Sequence, residues 1–270
     1  LQVLSSGKVI VGYASFTTGA TNPDLVITRL LSDGTVDTTF GTAGVTIVPN
    51  LGFVRLEVYP DERMLATGNA DPVGNNKIGM VRLNADGTLD AGFGTAGRVE
   101  QLVPDVIQFG QGVLRTRFAN DGKIFATYSF GAGSARDIAL YKFTTSGAID
   151  TTWGTAGRVN VAPTALEDNV RNLRVLSDGK ILMLTRSERT AGSSATNNFL
   201  WALVRLNADG SPDTLFGTAG AVTTSIRATT NIAAPMRVLA DGKILVAGRR
   251  SCGGQCLSGS DGVIARYNPD

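Results

Sequence analysis

The chain has 270 residues, with 25 Lys and Arg against 23 Asp and Glu, two Cys and no His. A formal charge of +2 leaves no electrostatic footprint for a nucleic-acid backbone or an anionic membrane surface. The lack of histidine removes Ser-His-Asp and Cys-His arrangements and histidine-ligated metal sites, and no apolar run reaches the roughly 18 residues that a membrane span needs.

One unit is written five times, over approximately 1–50, 51–100, 101–161, 162–222 and 223–270. Each unit opens with a strand a that ends at a turn: Ser6-Gly7-Lys8, Asp61-Glu62-Arg63, Asp121-Gly122-Lys123, Asp178-Gly179-Lys180 and Asp241-Gly242-Lys243. Asp-Gly favours the positive φ of a tight hairpin. Strand b follows, as in Lys180-Ile181-Leu182-Met183-Leu184, and strand c ends at a cation: Arg29, Arg82, Lys142, Arg205 or Arg266. Eight residues after the first four cations come Asp37, Asp90, Asp150 and Asp213, and eleven residues after them Phe40, Phe93, Trp153 and Phe216. Two glycines follow each aromatic residue, and strand d begins after the second. The fifth unit stops at Asp270, before its fourth strand. Glycine and β-branched residues run throughout and helical periodicity is missing, so the fold class is all-β.

Strands b and c are apolar on both faces: Ile78 and Met80 point one way, Val81 and Leu83 the other. A sheet of this kind must be covered on both sides. Four-stranded antiparallel sheets that repeat at 50–60 residues and cover one another are the blades of a β-propeller. The incomplete fifth blade implies a native chain that continues at one or both ends, with five to eight blades in all.

The a–b turn is short everywhere and the c–d spacing is fixed. The other two connections vary: 19 to 25 residues separate the turn cation from the strand-c cation, and 19 to 26 separate the last motif glycine from the next turn cation. Variable, Ser/Thr/Asn/Gly-rich loops therefore gather at one end of the blades, where binding is expected. The Arg/Lys–Asp series reads as a structural clamp within each blade, and the aromatic series as wedges between blades. The Asn-Ala-Asp-Gly turns at Asn84 and Asn207 lack the carboxylates of a calcium loop, and an Asp bonded to its own backbone explains them. Six residues before each turn cation, strand a carries Gln2, Glu57, Arg117, Arg174 and Arg237. This position changes charge between units, so Glu57, Arg117, Arg174 and Arg237 are the candidates for an asymmetric ligand site; pairing between blades is the plainer reading. Cys252 and Cys256 suit a small loop-closing disulfide and hence an oxidising compartment.

The run Asp241 to Gly248 (Asp-Gly-Lys-Ile-Leu-Val-Ala-Gly), together with Val81 to Asp90 and Phe93-Gly94, resembles the bacterial delta-60 repeat, a β-propeller repeat family of unknown function. The resemblance spans essentially the whole chain. It implies a secreted or surface-located bacterial protein and supplies no catalytic residues. The expectation is a single-domain, non-catalytic binding or adhesion scaffold with no cofactor and no metal. Its partner is a protein or glycan, not nucleic acid, and it does not insert in a membrane. The rivals are a carbohydrate-active propeller enzyme using axial carboxylates and a purely structural module.

Overall fold

The structure, a computed structural model, describes residues 1–16, 23–70, 77–102, 115–131, 136–188, 199–225, 232–251 and 260–270. The described residues form strands and no helix, arranged as five antiparallel sheets in chain order. Sheet one holds β1 (Gln2–Val3), β2 (Val9–Ser15), β3 (Asp24–Leu30) and β4 (Val45–Val48). Sheet two holds β5 (Gly52–Val58), β6 (Met64–Asn69), β7 (Lys77–Leu83) and β8 (Arg98–Leu102). Sheet three holds β9 (Arg115–Phe118), β10 (Ile124–Phe130), β11 (Asp137–Phe143) and β12 (Arg158–Val161). Sheet four holds β13 (Asp168–Val175), β14 (Ile181–Glu188), β15 (Phe199–Leu206) and β16 (Ala221–Thr224). Sheet five has three strands, β17 (Ile232–Val238), β18 (Ile244–Ser251) and β19 (Ser260–Tyr267).

Each a–b turn closes as its residues require. In the fourth repeat Gly179, at φ 83°, donates its N–H to the Leu176 carbonyl at 3.0 Å, and the Lys180 N–H donates to Asp178 Oδ1 at 3.1 Å. The second repeat keeps this geometry without glycine, because Glu62 takes φ 63°. Strand a varies in length, from two residues in β1 to eight in β13. The register slips between Val170 and Asn172, leaving Arg171 as a bulge, and β5 and β17 slip at the corresponding place. A bulge lets a longer strand follow the twist of its neighbours.

The strands fall into two compact units: residues 1–109 with 143–148, and 110–142 with 149–270. Segment 143–148 joins the first unit because the Ser146 carbonyl accepts the Gly94 N–H at 2.7 Å and Gly147 lies against the Phe93 ring. In the first unit, Ile10, Leu25 and Ile27 of sheet one pack with Met64, Val81 and Leu83 of sheet two. In the second, alternate residues of sheet four serve two cores. Ile181, Met183, Val204 and Leu206 face sheet three, while Leu182, Leu184, Trp201 and Leu203 face sheet five. Each such side chain stabilises by about 1.5–3 kcal/mol on burial, so sheet four alone in water would forgo both faces. The first strands converge here, with β13 against β9 on one side and β17 on the other.

Candidate functional site

At the turn end of each complete sheet, the motif aspartate sits between two cations. Asp37 Oδ2 lies 2.8 Å from both Lys8 Nζ and Arg29 Nε. Asp90 lies 2.7 Å from Arg82 Nε and 3.5 Å from Arg63 Nη1, and Asp213 lies 2.6 Å from Arg205 Nε and 2.8 Å from Lys180 Nζ. The Lys180 ammonium, and behind it Arg205, holds the Asp213 carboxyl below the usual carboxylate range against the opposing effect of burial. The guanidinium then turns its other face to the next repeat. Arg29 Nη1 donates to the Ala85 carbonyl, Arg82 Nη1 to Thr145 and Arg205 Nη1 to Pro269. Each of these arginines also covers its aromatic partner, at 4.8 Å from the Phe40 ring, 4.6 Å from Phe93 and 4.3 Å from Phe216.

The third repeat reaches the same acceptor by another route. Lys142 Nζ stands 4.0 Å from Asp150, whose closer cation is Lys123 at 3.0 Å. An ammonium lacks the fork that lets a guanidinium bond in two directions. Here Trp153 replaces phenylalanine, and its indole N–H donates to the Ala208 carbonyl at 2.9 Å. Ala85, Thr145, Ala208 and Pro269 all lie three residues after a strand-c cation. That constant spacing was visible in the sequence, but backbone acceptors leave no signature of residue type. The aromatic residues lie flat against glycine: a Cβ on Gly87 would come within 2.8 Å of the Phe40 ring, and one on Gly210 within 2.9 Å of Trp153. The Asx turns form as the residues suggest, with Asp86 Oδ1 accepting from the Thr88 N–H at 2.9 Å and Asp209 Oδ1 from the Ser211 N–H at 2.9 Å.

Each of the four candidate ligand residues has its own surroundings. Glu57 lies in the first unit, 3.5 Å from Arg55 Nη1. Arg117, in the second, donates from Nη1 to the Thr116 carbonyl at 2.8 Å. Arg174 and Arg237 share a cavity of about 730 Å3 between the turn ends of sheets four and five. Ser177 and Asp178 form one wall of it and Leu239 and Gly242 another, with Lys180 and Arg205 at its edge. Asp213 already holds Lys180 and Arg205. Arg174 and Arg237 are exposed; Arg174 Nη2 makes one long hydrogen bond, 3.5 Å to the Met236 carbonyl. Among the described residues neither has a carboxylate partner.

The opposite end of sheet four carries a different kind of carboxyl. Asp168, the first residue of β13, is fully buried. Its Oδ2 accepts from the Thr164 N–H and its Oδ1 from the Thr164 hydroxyl, each at 3.3 Å. Burial, helped by the nearby Asp137, pushes its pKa up to about 7 despite hydrogen bonds from Ser187 and Thr164. Neighbouring Glu167 is paired with Arg136 at 2.9 Å. The five b–c loop tips expected to dock a partner, together with Cys252 and Cys256, lie outside the described residues. Arg266 is described, exposed near the end of β19.

Repeated four-stranded meanders, clamped at one end by an Arg–Asp pair and wedged by an aromatic on glycine, define the class of β-propeller repeat proteins. The chain belongs to the family described as "Domain of unknown function (DUF5122) beta-propeller", whose model matches residues 4–40, 60–93, 176–216 and 239–270, more than half of the chain. The stretch between the second and third matches contains the Lys142/Trp153 variant of the clamp. No curated protein sequence matches. Among solved structures the chain is similar to the polysaccharide lyase Uly1, at 11% identity and a TM-score of 0.55, covering 98% of this chain and 69% of that one. It is also similar to a PL25 ulvan lyase, at 12% identity and a TM-score of 0.52, covering 98% of this chain and 68% of that one. At these identities the likeness is one of fold. Among the described residues no helix is long and apolar enough to cross a membrane.

Proposed function

We propose that this chain is a non-catalytic binding module of an exported bacterial protein, and that its ligand seats in the cavity between the turn ends of sheets four and five. The observation that supports this most is the pair Arg174 and Arg237, side by side in a concave site with no carboxylate partner among the described residues. Every motif aspartate, by contrast, is engaged by cations of its own repeat. Binding chemistry is thus concentrated where the repeat leaves charge uncompensated.

The test is a binding screen against glycans and small molecules with the wild type and with Ala240→Trp, which fills the cavity from its rim. Binding should be lost in the variant at unchanged Tm, and the ligand should be recovered chemically intact. Equal binding by the variant, or a cleaved ligand, would refute the reading. Export adds a separate expectation: the protein from its native source, measured intact without reductant, is two hydrogens lighter than its reduced form because Cys252 and Cys256 are joined.

A further inference from the structure

Among the described residues the cavity lining contains no aromatic side chain. A nucleobase or a neutral sugar ring therefore finds no face to stack on. What the lining offers is charge and backbone. Four cations (Arg174, Lys180, Arg205 and Arg237) line the site; Asp178 is in the lining and Asp213 behind it. Asp241 sits between the lining residues Ala240 and Gly242 with its carboxylate held by Lys243 at 2.5 Å, and Asp270 follows the lining residue Pro269. Asp213 is taken by Lys180 and Arg205, and Asp178 Oδ1 already accepts the Lys180 N–H. Two like charges held on adjacent sheets within concave walls repel one another and focus a positive field into the cavity. An entering oxyanion relieves that repulsion.

Guanidinium groups hold planar or tetrahedral oxyanions through paired N–H donors, a geometry an ammonium cannot offer. Both uncompensated cations are arginines, placed on the same strand-a position of consecutive repeats, six residues before Lys180 and Lys243. The volume of about 730 Å3 far exceeds an inorganic anion and is within the range of sites for organic ligands. The body of such a ligand would meet Ser177, the free acceptor oxygen of Asp178 and the backbone of the two turns, which suit hydroxyl groups.

The geometry points to an acidic oligosaccharide as the ligand, its carboxylate or sulfate groups held between Arg174 and Arg237 and its hydroxyls against the two turns. This rests on the binding reading above. The test is titration calorimetry at low and high salt with oligogalacturonate, a sulfated oligosaccharide, inorganic sulfate, a single-stranded oligonucleotide and a neutral maltooligosaccharide. The proteins compared are the full chain, Arg174→Ala/Arg237→Ala and Ala240→Trp.

The expected result is binding of at least one acidic oligosaccharide that weakens at high salt, falls at least tenfold in the double-arginine variant and is absent for the neutral one. The carboxylated and sulfated arms separate the two oxyanion sources. Unchanged affinity in the double-arginine variant, tighter binding of the oligonucleotide, or no binding of any acidic saccharide overturns the proposal. A neutral saccharide that binds wild type and the arginine variant alike but not Ala240→Trp would overturn the charge assignment while leaving the cavity as the binding site. Tm values of the variants within about 2 °C of wild type show that the arginines do not act through folding; a larger loss, with binding restored by Arg174→Lys/Arg237→Lys, would also overturn the guanidinium assignment.

Discussion

Sheet four has a carboxylate near each end, and the two are perturbed in opposite directions. At the turn end, Lys180 and Arg205 hold Asp213 ionised. At the loop end, burial favours the neutral form of Asp168. The first belongs to a clamp stamped on every complete repeat; the second belongs to one repeat only. Within the turn ends a further contrast appears, since the third repeat bonds the next carbonyl through Trp153 where the others use arginine. The difference teaches that the repeat maintains a bond between successive sheets, and that the residue providing it can change so long as the bond is made.

The sharpest way to break the contrast is Arg205→Ala. It strips a buried carboxylate of one partner and frees the Pro269 carbonyl, so urea denaturation should show a loss of about 3–5 kcal/mol. Lys142→Ala, whose Nζ is 4.0 Å from an aspartate still held by Lys123, should lose about 1 kcal/mol or less. Equal losses would remove the distinction between the two clamps.

The two carboxylates should also separate by pH. A lowered folded pKa, as for Asp213, contributes stability that is present above its unfolded value near 3.9 and is lost as pH falls below it. A raised one, as for Asp168, contributes stability that is fully present below about 3.9 and is lost as pH rises toward 7. Tm should therefore decline from pH 5 to 8 in the wild type and stay flat in Asp168→Asn. The variant should be more stable at pH 8 by on the order of 2 kcal/mol. A wild-type Tm that rises across that range would show that Asp168 is not held protonated.

Trp153→Phe, which installs the aromatic of the other repeats without their arginine, should cost about 1–2 kcal/mol through the unpaired Ala208 carbonyl. Adding Lys142→Arg should recover most of that loss, and a double-mutant cycle with no coupling would sever the two positions. The smallest effect is expected at Glu62→Gly, a gain of about 0.5–1 kcal/mol on replacing a left-handed non-glycine residue with the type found at the other four turns.

Much of this end of the molecule was legible in the residues. The eight-residue step from Arg205 to Asp213, the glycines after Phe216 and the two-sided apolar runs around Leu182 and Leu203 announce a repeated, doubly covered sheet. The inter-sheet acceptors were not legible, because any residue supplies a backbone carbonyl. Nor was the bulge at Arg171, which depends on how β13 follows β14. Glu57 and Arg117 occupy the same motif position as Arg174 and Arg237, yet only the last two line the cavity. Position within a repeat does not say what a neighbouring repeat brings alongside.

What the amino-acid order determined by itself was periodic: which residues recur, at what spacing, and therefore that the chain builds similar sheets with a clamp and a wedge on each. Periodicity is a local property, set by side-chain size and backbone preference within some fifteen residues. Tertiary structure decided the rest, since the ionisation of Asp168 depends on burial and on Asp137 and Ser187 in neighbouring strands, and the meeting of Arg174 with Arg237 in one cavity joins strands of two consecutive repeats. Solvation and Coulomb interaction act through space, and the distances over which they act come into being only when the sheets pack.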